Sequence, residues 1–526
     1  MTDLKIRENK IKLKMKEVSR RDFIKYCTSL QPLVLHKNNG QISRYPETDR
    51  IGWIQKMKEF EEERADLTKK WQEYNISKKF FENFQDFIKN TKFPAMFSYW
   101  WTENSEYADS AHTSKNAYLT FLTTFSSENI LYSFSVKMNC RNVINSVMIV
   151  ESSENIYTSF CCINSYNIFF SRYIEKSSNI RFSTNLLGCN ECLFCNNLQN
   201  QTYCIYNKQY NKEEYFKKKR EILIDKKSFL SHYMDILETQ WFQINTSNST
   251  WSWLSNCVDL DSWYICFNLN KWKNTIWVQS DEQNENMYNS FLCWRSHDFF
   301  WVTSSWWFSD NIYIGVWNNN TSHAYYSIFL DSCSYCLGCI WLKNKSFCIL
   351  NKQYTKEERF EKANEIFAQM DKEWTLWQFF PWSMNPFYFN DTAAYLIDDS
   401  FTKEEVTAEW YLRRDEEIKV DIPEWSEIIF TSPPTPLHSV ERGKLSLWNG
   451  DGGRRPGEVK TLNDFQWFDA DWHRQINPEI LKKVIVDEKW NSYRIIKMEY
   501  DFLMKHWLPL PEIHRLDRIK LWFKFK

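Results

Sequence analysis

Glycine is scarce in this chain, at 10 of 526 residues, about 2% where ~7% is usual. No apolar run approaches the ~18 residues typical of a membrane-spanning helix, and the charged N-terminal segment does not resemble an export signal. Neither charge is in excess, because 66 Lys and Arg face 67 Asp and Glu, so a general attraction to nucleic acid or acidic lipid is excluded. We expect a soluble, cytoplasmic protein of about three to four domains, with its 15 cysteines reduced.

Tryptophan is as abundant as glycine is rare, at 27 residues, and the two counts together equal the usual share of glycine, about 7%. Some tryptophans stand where the backbone favours glycine. Trp490 lies in a predicted hairpin turn, and Trp507 follows a predicted helix that ends before Pro509. We hypothesise that the gene uses a genetic code that reads UGA as glycine, and that the printed sequence reads UGA as tryptophan. The alternative is a truly tryptophan-rich binding surface.

The chain contains two copies of one module. Four cysteines with the same spacing occur twice, 144 residues apart, and each set is followed by Asn-Lys-Gln-Tyr and then Lys-Glu-Glu. The two sets are Cys189, Cys192, Cys195 and Cys204, and Cys333, Cys336, Cys339 and Cys348.

A shorter period of 12 or 13 residues runs inside each module, marked by a column of mostly apolar residues that usually follow an asparagine. In the first module the column is Ala117, Ile130, Val143, Ile156, Ile168, Ile180, Cys192 and Cys204. In the second it is Trp263, Thr275, Met287, Phe299, Ile312, Ala324, Cys336 and Cys348. Small side chains stand three residues after this column in the first module, and mostly apolar ones stand six residues after it.

This period predicts a parallel β-solenoid, in which coils stack at about 4.8 Å and align similar residues into ladders. The asparagines suit bends, where their amides can hydrogen-bond along the stack or tolerate the left-handed conformation. The period alone leaves open whether one repeat or two form a coil.

The fold class predicted is therefore mainly β with α: a duplicated parallel β-solenoid, each module closed by a helix, with helical N-terminal and small α+β C-terminal regions. The boundaries predicted are a helical N-terminal region at 1–99, β-solenoid modules at 100–210 and 244–354, linking and capping helices at 211–243, a capping helix at 355–373, an irregular and helical segment at 374–431, a disordered insert at 432–460 and the α+β region at 461–526. The insert is rich in glycine and proline and has no apolar period.

Three segments resemble a known family: CLGCIWLKNKSFCILNKQYTKEE, LWQFFPWSMNPFYFNDTAAYLIDDSFTKEEVTAEWYLRRD and YRIIKMEYDFLMKHWLPLPEIHRLDRIKL. They are similar to uncharacterised bacterial proteins from uncultured small-genome lineages, which often carry an automatic CaiB/BaiF (family III CoA-transferase) or zinc-ribbon label. The similarity covers most of residues 100–526. It implies glycine at the positions of Trp341, Trp377 and Trp410, loss of the relatives' cysteine pairs outside the modules, and no established catalytic residue.

The two cysteine sets are the candidate zinc ligands. Zinc is usually held by two Cys-x2–4-Cys pairs with a loop between them. Here the thiols occupy columns that hold isoleucine and serine in earlier coils, which favours small buried side chains and no cofactor. Packing and zinc binding remain the two alternatives for these residues.

Other chemistry has weaker support. The histidines, including His36, His112, His297, His323 and His514, are scattered; the pairs Cys293 with His297 and His438 with Glu441 lack a third partner. His323 is predicted to be a bend residue, and the CoA-transferase label would need an α/β fold. Glu128, Glu154 and Glu191 lie near one coil position, so glycan chemistry is an alternative.

Nucleic-acid binding is supported only by basic residues near both termini. They are Lys10, Lys12, Lys14, Lys16, Arg20 and Arg21, and Arg515, Arg518, Lys520, Lys524 and Lys526. The sequence therefore favours a non-enzymatic scaffold or binding protein that presents solenoid faces to a protein or glycan.

Overall fold

The computed structural model describes residues 21, 24–25, 29–38, 40–47, 50, 52–97, 101–224, 318–376, 378–415, 426–432 and 460–521, and four two-residue strands between 243 and 279. The chain divides into two compact units, Met1–Phe97 with Gln240–Asp415, and Ser98–Thr239 with Glu416–Lys526. The described part is mainly β with α, with a parallel β-solenoid of about 12 turns. One solenoid module falls in each unit.

Eight α-helices lie in the described residues. They are α1 (Met57–Leu67), α2 (Phe80–Lys89), α3 (Lys212–Ile224), α4 (Lys356–Lys372), α5 (Ala393–Ile397), α6 (Lys403–Ala408), α7 (Lys497–His506) and α8 (Arg515–Leu521). Four 3-10 helices lie at Trp382–Met384, Phe389–Asp391, Leu462–Phe465 and Pro478–Lys482.

The strands of the first solenoid are Tyr107–Asp109, Lys115–Thr124, Glu128–Leu131, Phe134–Lys137, Arg141–Ile144, Val147–Val150, Glu154–Tyr157, Phe160–Ile163, Tyr166–Phe169, Arg172–Glu175, Ser178–Arg181, Thr184–Leu187, Asn190–Leu193, Asn196–Gln199, Thr202–Ile205 and Lys208–Gln209. Those of the second are Gln243–Ile244, Leu254–Ser255, Cys266–Phe267, Val278–Gln279, Ser322–Tyr325, Ser334–Leu337, Cys348–Ile349 and Lys352–Gln353. Elsewhere strands lie at His36–Asn38, Gln41–Ser43, Ile54–Gln55, Phe93–Pro94, Ile428–Phe430, Gln466–Phe468, Arg474–Ile476, Val484–Val486 and Ser492–Tyr493.

One repeat forms one whole coil, which settles the alternative that the period left open. Ile156 pairs with Ile168 in the next coil and Ile168 with Ile180, always through parallel strands. A second stack runs beside the first, with Cys162 paired to Ile174. Each coil of 12 or 13 residues therefore contributes one short strand to each of two stacks.

The predicted column points inward. Ile130, Ile156, Ile168 and Ile180 are all fully buried and belong to one apolar cluster with the opposite column. Serines fill the corner between the two stacks, and the backbone N–H of each donates to the hydroxyl oxygen of the serine one coil earlier, as Ser171 does to Ser159 at 3.2 Å. The prediction of an inward isoleucine ladder is confirmed.

The second solenoid repeats this register where it is described. Ala324 pairs with Cys336 in parallel, and Leu337 pairs with Ile349. Both solenoids end in an antiparallel hairpin at equivalent positions, pairing Cys204 with Gln209 and Cys348 with Gln353. Trp263, Thr275, Met287, Phe299 and Ile312 lie outside the described residues.

The C-terminal region packs on one side of the first solenoid. Outward residues next to the isoleucine column, among them Ile144 and Phe169, form an apolar cluster with Ile485, Phe502 and Leu503. The sequence pattern predicts strands at Leu481–Val486 and Tyr493–Ile496 and then a helix to about Lys505. This order is present, but the first strand is shorter than predicted, because Pro478–Lys482 is a 3-10 helix. A hairpin at 466–476 and helix α8 were not predicted.

Helices elsewhere depart from the predicted lengths at their ends. The sequence pattern predicts a helix at Phe401–Arg414, but α6 there has only six residues, Lys403–Ala408, because the chain turns into the left-handed region at Trp410. The sequence pattern also predicts helices within Trp53–Tyr74 and Ser77–Asn90, and α1 and α2 lie within these ranges. No helix in the described ranges is both long and apolar enough to cross a membrane.

Candidate functional site

A ladder of asparagines runs along the first solenoid. Each lies in the left-handed region, with φ between 51° and 58°, as Asn129 and Asn142 do. The side-chain amide nitrogen of each donates to the amide oxygen of the next, at 2.8 to 3.1 Å. The Asn ladder consists of Asn104, Asn116, Asn129, Asn142, Asn155, Asn167 and Asn179. Asparagine suits it because its amide both donates and accepts and its backbone tolerates positive φ.

Beside the Asn ladder runs a column of charged residues whose sign alternates from coil to coil. The parallel pairing aligns them directly above one another. The charged column consists of Glu103, Lys115, Glu128, Arg141 and Glu154. Lys115 and Glu103 form an ion pair of 3.3 Å, so neighbouring coils carry opposite charges at close range.

The charged column and the Asn ladder together form what we call the polar side. It continues past Glu154 through Tyr166 and Ser178 in the same register. Tyr166 is 46% exposed, and Lys115 and Arg141 are exposed. The polar side is therefore an extended, hydrogen-bonded array that is exposed to solvent at Lys115, Arg141 and Tyr166.

The candidate glycosidase carboxylates do not converge. Glu128 and Glu154 share one column as predicted, but Arg141 lies between them. Two coil spacings place them about 10 Å apart, beyond the ~5–9.5 Å of paired catalytic carboxylates. Glu191 is engaged separately, in an ion pair of 2.6 Å with Lys219 of α3.

The candidate zinc ligands of the first module are buried inside its last coils. Cys192 and Cys204 occupy the isoleucine column, where Cys192 pairs with both Ile180 and Cys204. Cys195 occupies the serine column, with its N–H donating to Ser183 Oγ at 3.0 Å. A hydrogen bond donated to Cys192, together with burial, raises the pKa of the Cys189 thiol, which favours the protonated form over the thiolate that zinc requires.

The second set has the same placement. All four thiols are buried, and Cys333, Cys336, Cys339 and Cys348 belong to one apolar cluster. Hydrogen bonds with Cys333, Cys339 and Cys348 hold the pKa of Cys336 well above its usual value, and the same bonds lower the pKa of Cys333 and Cys348. In the part of the chain that the structure describes, no group of three or more His, Cys, Asp or Glu side chains is arranged to hold a metal ion.

The structure brings together one histidine cluster that the sequence did not reveal. His36 Nε2 lies 3.0 Å from Asp391 Oδ2, and Arg414 contacts His36 Nδ1 at 2.6 Å and the same Asp391 oxygen at 2.7 Å. His36 lies more than 300 positions before Asp391 and Arg414 in the chain, so no sequence spacing could have revealed the contact. The His36 imidazole therefore lies between a carboxylate and a guanidinium, and these contacts include no nucleophile. The cluster joins the N-terminal segment to the segment before α5 through Asp391.

The other predicted positions are dispersed. His323 lies in the left-handed region at φ 53°, as predicted for a bend residue. His514 is largely buried, and burial together with Arg515 and Arg518 lowers its pKa to about 3. His297, Cys293, His438 and Glu441 lie outside the described residues.

Basic residues near the termini are partly committed to internal contacts. Arg21 pairs with Glu405 at 2.6 Å, Arg515 lies 5.4 Å from the centre of the Tyr132 ring, and Arg518 is buried. The remaining candidates for nucleic-acid contact lie outside the described residues. They are Lys10 to Arg20 at the N-terminus, and Lys524 and Lys526 at the C-terminus.

No protein-family model matches the chain, and no curated protein matches it.

Proposed function

We propose that the protein is a non-enzymatic scaffold or binding protein that recognises another protein through the polar side of its first solenoid. The alternating signs of the charged column are the observation that carries this proposal. Such a pattern has little net charge, so it gives no general attraction to polyanions, but it selects a partner whose charges alternate in the opposite order.

The Asn ladder supports the proposal because it makes the backbone beside the charged column rigid. Its amides are hydrogen-bonded along the stack, so the neighbouring charged side chains start from a backbone that is already ordered. A preformed surface loses less conformational entropy on binding than a flexible one. Within the described residues, the shallow depression along α3 is lined by that helix alone, including Phe216 and Arg220, and offers no converging catalytic groups.

We also propose that helices α3 and α4 close the two solenoids. Tyr215 of α3 is fully buried and lies 5.6 Å from the Tyr203 ring in the last coil. Phe367 of α4 packs edge-on against Tyr325 at 5.2 Å. Covering the last coil protects strand edges that would otherwise pair with another chain.

Two further features of the proposal concern the N-terminal region and the location. α1 and α2 support a helical N-terminal region, and α2 packs Phe80 against Tyr326 of the second solenoid at 5.1 Å.

The eleven described cysteines with free thiols are all buried. Free thiols in this number support a reducing, cytoplasmic location.

A charge exchange tests the binding proposal. The variant Lys115→Glu, Glu128→Lys, Arg141→Glu and Glu154→Lys keeps the net charge and inverts the sign at four of the five positions of the charged column. Its matched control, Glu175→Lys with Lys176→Glu, inverts an ion pair of 3.0 Å on another side of the same solenoid. Quantitative affinity mass spectrometry should show proteins that bind the wild type and the control but not the exchanged variant.

The same experiment contradicts the proposal if the exchanged variant retains every partner of the wild type. If the wild type binds a glycan array and no protein partner depends on the charged column, the proposal of a protein partner is wrong and the ligand is a glycan.

A further inference from the structure

We infer that five of the tryptophans, Trp374, Trp410, Trp472, Trp490 and Trp507, are glycine in the protein as its own organism makes it. The observation is conformational. In the described residues outside 101–210 and 318–354, these five are the non-glycine residues with positive φ, at 55° to 66°. Left-handed backbone costs an L residue with a Cβ roughly 1–2 kcal/mol, and glycine avoids that cost.

Three of the five end helices. Trp374, Trp410 and Trp507 follow α4, α6 and α7, and each begins the same arrangement of hydrogen bonds. The N–H of the next residue reaches back five positions to a helical carbonyl: Thr375 to Met370 at 2.9 Å, Tyr411 to Val406 at 3.3 Å, and Leu508 to Leu503 at 2.9 Å. This is the Schellman arrangement, whose left-handed residue is usually glycine.

The other two lie in chain reversals. Trp472 lies between the paired strands Gln466–Phe468 and Arg474–Ile476, and Trp490 between Val484–Val486 and Ser492–Tyr493. The N–H of Trp472 donates to Asp469 O at 3.0 Å, and that of Trp490 donates to Asp487 O at 2.9 Å. Glycine is the residue that such turns select at a position with positive φ.

The indole rings share no environment that would explain tryptophan at all five positions. Trp374 and Trp410 are 77% and 76% exposed, whereas Trp507 stacks on His473 at 3.9 Å. What the five have in common is the backbone conformation. A genetic code that reads UGA as glycine accounts for this pattern, and it removes these five indole rings from any ligand-binding surface.

Mass spectrometry of the protein isolated from its own organism tests the inference directly. Peptides spanning the five positions should have the mass of the glycine form, and the gene should carry UGA at each position. Tryptophan in those peptides, or UGG codons at those positions, would overturn the inference.

A recombinant test separates backbone relief from loss of the ring. Trp374→Gly, Trp410→Gly and Trp507→Gly should each melt higher than the alanine variant at the same position, by about 2–4 °C, because alanine keeps the Cβ. Trp382 is the control, since it is buried and does not have positive φ; there glycine should melt no higher than alanine. Equal melting of the glycine and alanine variants at the three left-handed positions would overturn the structural basis of the inference.

Discussion

Arg518 donates to Glu499 Oε1 across 3.1 Å in a fully enclosed part of the second unit, and the same guanidinium nitrogen donates to Tyr157 OH, also at 3.1 Å. Glu499 is fully buried and Arg518 nearly so. The pair joins α7 and α8 to a tyrosine on the first solenoid. The contact therefore holds the C-terminal region against the first solenoid at Tyr157.

Removing one partner of this pair should be far more damaging than removing both. Arg518→Met leaves a buried carboxylate without its cation, which should lower the free energy of unfolding by about 3–5 kcal/mol. Arg518→Met combined with Glu499→Met should recover most of that loss, because apolar side chains can fill the same space. Urea denaturation of both variants measures the difference, and a double variant as unstable as the single one would contradict this assignment.

The inward ladder should reject a charge. Ile168→Asp places an unpaired carboxylate between Ile156 and Ile180, and we expect it to cost more than ~3 kcal/mol of unfolding free energy. Ile168→Val, which keeps the side chain apolar, should cost about 0.5–1.5 kcal/mol. Thermal melting of the two variants checks the placement; wild-type-like melting of the aspartate variant would contradict it.

The Asn ladder should depend on both its amides and its backbone conformation. Asn155 is buried, has φ 57°, and is bonded to Asn142 and Asn167 at 3.0 Å each. Asn155→Ala should cost about 2–4 kcal/mol, from two lost hydrogen bonds and a Cβ in the left-handed region. Asn155→Gly should cost about 1 kcal/mol less than Asn155→Ala. Glycine loses the same two hydrogen bonds, but without a Cβ it adopts the left-handed conformation without strain. Chemical denaturation measures the unfolding free energy of both variants. Equal losses for alanine and glycine would show that the left-handed backbone conformation does not contribute to the choice of asparagine.

Two partly buried histidines should make the protein less stable in mild acid. Burial lowers the pKa of His506 to about 4, with Lys505 and Arg181 adding to the effect, and that of His514 to about 3. The unfolded chain, with pKa values near ~6.5, binds more protons than the folded chain below neutral pH. The free energy of unfolding should therefore fall as the pH drops from about 7 towards 4.

Replacing both histidines isolates their share of this dependence, since carboxylates also contribute to it. His506→Gln with His514→Gln should show a shallower decrease in urea midpoint than the wild type between about pH 7 and pH 5. Identical slopes in the two proteins would mean that these histidines are not held neutral by the fold.

The glycine- and proline-rich insert should be dispensable for folding. Its flanks already meet, because the N–H of Phe430 donates to Lys460 O at 3.2 Å and Phe430 bridges Thr461. Shortening a loop between fixed ends changes its closure entropy only slowly with length. Deleting Ser432–Gly457 should shift the melting temperature by no more than about 4–8 °C. A larger loss would show that the insert contributes to the packed structure.

The repeat could be predicted from the sequence because every coil repeats the same physical requirement. Ile156 and Ile168 fill the same inward position, and Asn155 and Asn167 the same left-handed bend, so the period records the pairing directly. The number of repeats per coil could not be predicted, because a 12-residue period satisfies either arrangement. It took the parallel pairing of Ile156 with Ile168 to decide between them.

Contacts between distant segments left no comparable signal. The cluster of His36, Asp391 and Arg414 and the burial of Arg518 against Tyr157 depend on folding that brings non-repeating segments together. In the sequence, Arg515 and Arg518 look like part of an exposed basic terminus. In the structure, Arg515 lies over the Tyr132 ring and Arg518 pairs with Glu499, so both belong to the packed unit. A residue type alone does not distinguish an exposed cation from one buried against an acid or a ring.

Site-specific photo-crosslinking tests the central claim, that the polar side binds a protein partner, most directly. A photoreactive phenylalanine at Tyr166 places the probe in the register of the charged column, and the same residue at Tyr206, which is 49% exposed in a different column, is the matched control. We expect a discrete covalent adduct with a protein from the organism's own extract at Tyr166, lost when Lys115, Glu128, Arg141 and Glu154 are charge-exchanged, and no such adduct at Tyr206. No adduct at Tyr166, or equal adducts at both positions, would contradict the account.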